Sequence, residues 1–224
     1  MPVSSDAKRY IKSVTIALLG AVAAALGIVA VGLFGDYFKA NPYHAPIIVS
    51  GSLGIDVFGA IVPVVVALVC AGLLFWFRFP IKKFMIAISA STVLAFFLTR
   101  LTTEGLIGYP LLFAATIAVV TVALNYGAKT FTNPKNAFTS FLLALSCVPT
   151  SLILVDLAYS AVLSGSVIGG NGLADGIMLS TLYAPFALTA ALSVVLYVSE
   201  TILLIRKQQT ATKQQSPPAT EPVM

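Results

Sequence analysis

Charged residues divide this chain into six apolar stretches, at 13–34, 46–77, 84–99, 105–125, 136–163 and 172–205. A helix crossing the hydrocarbon core of a bilayer needs about 20 predominantly apolar residues, and most of these stretches meet or exceed that length. A soluble domain would have to hide six helices that are apolar all round, which leaves lipid as the solvent. Hydrophobic residues make up 58% of the 224 positions and charged residues 9%, with a mean hydropathy of +0.99. The sequence therefore predicts an all-α polytopic membrane protein, a bundle of about six transmembrane helices with glycine-broken helix ends on the outer side. Residues 1–9 and 208–224 are polar and aperiodic and are expected to be disordered, leaving one membrane domain over residues 10–207.

The formal net charge of +5 does not point to nucleic acid, because the basic residues sit at the ends and in short loops and form no groove or stripe. They fit a topology. With both termini in the cytoplasm, Lys8, Arg9, Lys12, Arg78, Lys82, Lys83, Lys129, Lys135, Arg206, Lys207 and Lys213 fall inside, and only Lys39 and Arg100 fall outside. The expected location is the cell membrane, with the bilayer as the principal partner; self-association and partner subunits remain open. AVAAALG, Ala21 to Gly27, offers small residues to a signal peptidase, but the apolar run continues to Phe34, longer than a signal core, so the first helix is expected to stay uncleaved.

Cys70 and Cys147 fall inside spans, where cysteine acts as a small apolar filler. The lone histidine, His44, lies in a loop, so no histidine-based metal cluster or catalytic triad can be built, and neither metal nor cofactor is expected. Three spans exceed what a bilayer requires, so something in them must bend or break. The glycines at 51, 54, 169, 170 and 172 mark the outer ends of the second and sixth spans as the places for unwound or re-entrant backbone. Pro63, Pro149 and Pro185 are candidate kinks farther in. Small residues at 20, 24, 27 and 32 of the first span, and the GxxxG of Gly172 to Gly176, predict close helix packing within the bundle.

Ionisable groups in apolar spans are expensive and by default mark function, which selects Asp56, Asp156, Asp175 and Glu200. Asp56 and Asp175 each open a helix and suit an N-terminal cap as well as they suit a site. Asp156 falls in the last turns of its helix, where the dipole disfavours an anion, so it needs a partner or a proton. Arg100, a bound cation or protonation could each supply that. Helical spacing puts Ser146, Pro149, Thr150 and Ser160 roughly on the face of Asp156, and the short turn after the fifth span lets Asp156 and Asp175 face each other. Candidate ion- or proton-binding residues are thus Asp156, Asp175, Asp56 and Asn171, with Arg100 as charge partner and Gly54, Gly169, Gly170, Gly172 and Gly176 opening the backbone.

At these residues the chain resembles a prokaryotic membrane-protein family known as domain of unknown function 1614. FGAIVP, Phe58 to Pro63, is similar to that family's glycine-rich run into Ala, apolar residues and Pro; VDL, Val155 to Leu157, is similar to its later helical Asp. The strongest signature, IGGAG followed by two variable residues and DGIF, is matched at Ile168, Gly169, Gly170, Gly172, Asp175, Gly176 and Ile177, with departures at Asn171 and Met178. Asp56 stands where the family has a neutral residue. The resemblance implies a membrane fold and carries no activity. A second similarity is to intramembrane aspartyl proteases, through Asp156, the GLAD of Gly172 to Asp175 and YAPFAL of Tyr183 to Leu188. There Val155 replaces a Tyr, Ala174 interrupts GxGD and Phe186 interrupts the Pro-Ala-Leu element.

No catalytic motif of high specificity appears, which leans away from an enzyme. The leading expectation is a small transporter or channel-like protein in which Asp156 and Asp175 bind a cation or proton. An intramembrane aspartyl protease using the same two residues, and a non-catalytic assembly subunit whose aspartates cap helices or pair with Arg100, are the alternatives.

Overall fold

The computed structural model describes residues 5–43, 46–50, 53–102, 105–125, 134–160 and 166–215. Six α-helices carry the fold: α1 (Ser5–Ala40), α2 (Val62–Trp76, entered through a π-turn at Val57–Ile61), α3 (Ile81–Leu98), α4 (Pro110–Asn125), α5 (Pro134–Ser160) and α6 (Gly176–Gln215). Helices α1, α3, α5, α6 and the π-turn plus α2 are long and apolar enough to cross a membrane, whereas α4 falls short. The stretch expected to form the fourth span, 105–125, is divided because Gly105 and Gly108 disfavour helix and Pro110 is suited to start one.

Helix α5 is the central post. Helices α2, α3 and α4 pack on it together with α6, and α4 also lies along α6. The main core joins Cys70 and Leu74 of α2, Phe84 and Ala87 of α3, Ile117 of α4, Leu143, Cys147 and Val148 of α5 and Ala184 of α6. Both cysteines are therefore buried as apolar filler and unbonded. Helix α1 stands at the periphery, antiparallel to α6. Its Gly20, Gly27, Gly32 and Gly35 lie over Ser193, Phe186, Tyr183 and Leu179, so the small-residue pattern serves an internal seam. The start of α1 and the end of α6 share one end of the bundle, where Arg9 pairs with Glu200 at 3.3 Å. Glu200 thus lies buried beside a cation instead of reaching open water.

The polar termini differ from their expected disorder within the described residues. Helix α1 starts at Ser5, and α6 runs on to Gln215 through Gln, Ala and Lys, all good helix formers that extend an established helix at little cost. Residues 216–224, the turn GAKTFTN over 127–133, Gly51 and His44 lie outside the described residues.

Helix α2 ends in a Schellman motif. Phe79 donates to the Leu74 carbonyl and Arg78 to that of Phe75, with Arg78 itself at φ 58°. That conformation normally favours glycine, so a basic side chain is held there at a cost of about 1 kcal/mol. Pro80 then starts α3.

The end of the bundle away from the termini, its mouth, is tied by short strands that the hydropathy pattern did not predict. β1 (Pro46–Ser50) pairs antiparallel with β2 (Leu53–Asp56), and β2 pairs parallel with β3 (Ser166–Ile168), Leu53 opposite Ser166 and Ile55 opposite Ile168. A separate hairpin joins Arg100–Thr102 to Gly105–Ile107. Pro46 bars a helix interior, and the β-branched run of Ile47, Ile48 and Val49 suits a strand. The expected second span over 46–77 is accordingly helical only from Val57, and the strands account for its excess length.

Candidate functional site

The mouth is organised around a contact between two glycines. A methyl group on Gly59, in the π-turn, would lie 2.0 Å from the Gly169 carbonyl oxygen, and one on Gly169 would lie 2.5 Å from the Gly59 carbonyl carbon. Only glycine permits such backbone approach, and Gly169 also adopts φ 71°. Pro63 explains the π-turn: it has no amide hydrogen to close the preceding α-turn, and the backbone widens so that Val62 donates to Val57 instead. Beyond Gly169, Gly172 at φ 57° returns its amide to the Gly169 carbonyl, and Leu173 donates to the Tyr43 carbonyl. The two glycine-rich strings of the sequence thus meet, closed by the loop after α1.

Three aspartates surround this contact. Asp56 is fully buried and caps the π-turn, accepting from the amides of Phe58 at 2.8 Å and Gly59 at 2.9 Å. Asp175 caps α6 in the same way, accepting from Ile177 at 2.8 Å through Oδ1 while its own carbonyl takes the first helical bond from Leu179. Its Oδ2 faces the Asn171 amide at a long 3.5 Å. Burial pushes the Asp175 carboxyl up to about 6; the Ile177 and Asn171 amides pull against this, and the Asp56 carboxylate adds to it. Asp156 is half-buried near the end of α5, accepts from the Gly169 amide and lies within electrostatic range of Asp175. Its partner is therefore a backbone amide of the mouth, presented by the same residue that presses on Gly59.

The remaining sequence candidates are distributed unevenly. Asn171 is exposed and contributes its backbone, Gly170 donates to the Val167 carbonyl, and Gly54 sits in β2 against Val167. Gly176 opens α6 with free space where a side chain would stand. Arg100 is exposed on the hairpin, and the ion pairs found among the described residues are Arg9 with Glu200 and Lys39 with Asp36, so it does not neutralise Asp156. The polar stripe of α5 turns largely inward on backbone: Ser146 donates to the Ala67 carbonyl, Thr150 to Ser146 and Ser160 to Leu157.

Sequence reasoning missed the hydroxyls of Ser91, Thr92, Ser151 and Ser180, which are buried without a hydrogen-bond partner. Ser151 and Ser180 each stand five residues from an aspartate, toward the bundle interior, on antiparallel neighbours; that places them at matching depth about 7.5 Å below the acids. Nearby, Pro149 and Pro185 have no amide hydrogen to offer the carbonyls of Leu145 and Thr181. Polar groups inside an apolar bundle without partners are costly, so their recurrence at one depth, on the two helices that carry Asp156 and Asp175, is a feature of the site.

Chemically the mouth offers one helix-capping acid locked between two amides, a second acid near its titration range, and a third within the field of the second. Among the described residues no group of three or more His, Cys, Asp or Glu is placed to hold a metal ion. Comparison of the chain with protein-family models, with curated proteins and with solved structures finds no match.

Proposed function

We propose that this chain is a six-span protein of the cell membrane with both termini in the cytoplasm, and that it acts as a small transporter or channel-like protein whose proton or small-cation site is the pair Asp156 and Asp175. The observation that carries this reading is the setting of Asp156: an anion at the disfavoured end of its helix, held by the Gly169 amide and facing a second half-buried acid. A carboxylate pair whose charges oppose each other gains from taking up a proton or cation between them. The unpartnered hydroxyls of Ser151 and Ser180 extend polar groups inward from that pair, as a pathway for such a species needs. Kinship with the domain of unknown function 1614 family is part of the proposal and rests on the residues Ile168 to Ile177.

Two features weigh between the alternatives. Asp175 has one oxygen engaged by the Ile177 amide, which leaves it less suited to act as the base that must activate water, so the protease reading ranks lower. The cap bonds of Asp56 favour a structural role for that residue alone. Reconstituted protein should show proton or monovalent-cation flux that Asp156→Asn reduces to background, whereas Asp56→Asn, which keeps a capping oxygen, should retain it. Full flux in Asp156→Asn would overturn the reading.

A further inference from the structure

Helices α5 and α6 run antiparallel, and two observations fix how they face each other. Near the mouth Asp156 and Asp175 lie within electrostatic range of one another, and deeper in the bundle Ala144 and Ala187 belong to one buried cluster with Ala114 and Ala118 of α4 and Leu188 of α6. Ser151 stands seven residues from Ala144 toward the mouth, and Ser180 stands seven from Ala187 in the same direction. Seven residues make two turns with a drift of only about 20°, so each serine lies on the face that its helix turns to this seam. Both occupy one depth, between the acids and the alanine cluster.

Their hydroxyls behave unlike those beside them. Thr150 and Thr181, the adjacent residues, each donate to the carbonyl four residues back at 2.7 Å, as Thr116, Thr121 and Thr189 do elsewhere. Ser151 and Ser180 are fully buried and bond neither to their own helices nor to each other. Two hydroxyl oxygens turned to one seam, each without a partner, need a third group that accepts oxygen on both sides. Further oxygens belong to the same two helices, because Pro149 and Pro185 withhold the helical donor from the carbonyls of Leu145 and Thr181.

The chemistry of this layer selects its occupant. Between Lys135 and Asp156 in α5, and between Asp175 and Glu200 in α6, there is no acidic, basic or histidine side chain. A divalent ion would lack the carboxylate ligands that such ions take, since the acids stand about 7.5 Å away along the helices. A hard monovalent cation is content with neutral hydroxyl and carbonyl oxygens. Alanines bring the helices close just below, which favours a small ion over a large one.

We propose that Ser151 and Ser180 form a sodium site across the seam between α5 and α6, with the carbonyls of Leu145 and Thr181 as further ligands. This rests on the reading of the acid pair as the entry for a cation or proton, and it names the ion. The alanine cluster closes the seam on the inner side, so sodium reaches the site from the mouth.

The test uses the full chain in detergent, with Tm followed as sodium, potassium or choline chloride is added at constant ionic strength. Sodium should raise Tm by several degrees, and the other two should not. The double variant Ser151→Ala with Ser180→Ala should lose this response, its sodium affinity falling at least about tenfold, and each single variant should lose part of it. Its Tm without sodium should hold or rise, because two unsatisfied hydroxyls go and no hydrogen bond is lost. Equal responses to the three salts, or an unchanged sodium response in either single variant and in the double variant, would overturn the proposal. Proton flux in liposomes that ignores sodium would also overturn it while leaving the acid pair in place. Sodium-specific binding together with full flux in Asp156→Asn would instead support this site and overturn the role given to the acids.

Discussion

Asp175 accepts two backbone amides and is nevertheless drawn toward its protonated form, because burial outweighs what the amides supply. The consequence for stability has a definite sign. Its folded value, about 6, lies above the ordinary 3.8, so between these limits the folded chain holds more proton than the unfolded one. The contribution of this group is fully present below about pH 4 and is lost as pH rises through about 6. The detergent-solubilised protein should therefore lose several degrees of Tm across that window, and the slope should shrink in Asp175→Asn; an unchanged slope would contradict the assignment. At this scale the sequence was informative where chemistry is local. An aspartate before a helix start reads as a cap, and Asp56 and Asp175 both are. The bond from Gly169 to Asp156 was not legible, since it needs two segments brought together by the whole bundle. Nor were Ser151 and Ser180, because a serine with a partner and one without look alike in a string of letters.

Two tight glycine contacts differ in what opposes them. A methyl on Gly27 of α1 would meet the ring of Phe186 at 2.0 Å, and one on Gly169 would meet the backbone of Gly59 and Ala60 at 2.5 and 2.6 Å. A ring can shrink or turn; a main chain cannot. Gly27→Ala should cost about 1–3 kcal/mol and be largely restored by Phe186→Leu, whereas Gly169→Ala, which adds a strained φ to the clash, should cost at least as much and find no side-chain rescue. Chemical denaturation of the four variants checks this, and a rescue of Gly169→Ala by trimming a neighbouring side chain would refute it. The helices were legible here because their apolar runs are long and their stops are Pro, Gly and charge. The strands were not, because PIIVS and SVI are short apolar pieces that periodicity alone does not separate from helix.

Over the whole molecule, the six helices follow the six apolar stretches in order, and five of them are long and apolar enough to cross a membrane. A topology with the termini inside makes the mouth the outer face. Tyr43→Cys, beyond the end of α1, should be labelled by a membrane-impermeant thiol reagent applied outside, while reporters fused at either terminus should be active only in the cytoplasm; the reverse pattern would invert the bundle. One pairing also orders events in time. Strand β2 waits beside the second helix until Ser166–Ile168 has been made, more than a hundred residues later, with helices α2 to α5 lying between the two in the chain. The mouth consequently closes late in biosynthesis, after α2 to α5 have been made. A nascent chain arrested before Ser166 would carry an open sheet edge and would lack Asp175 of the acid pair.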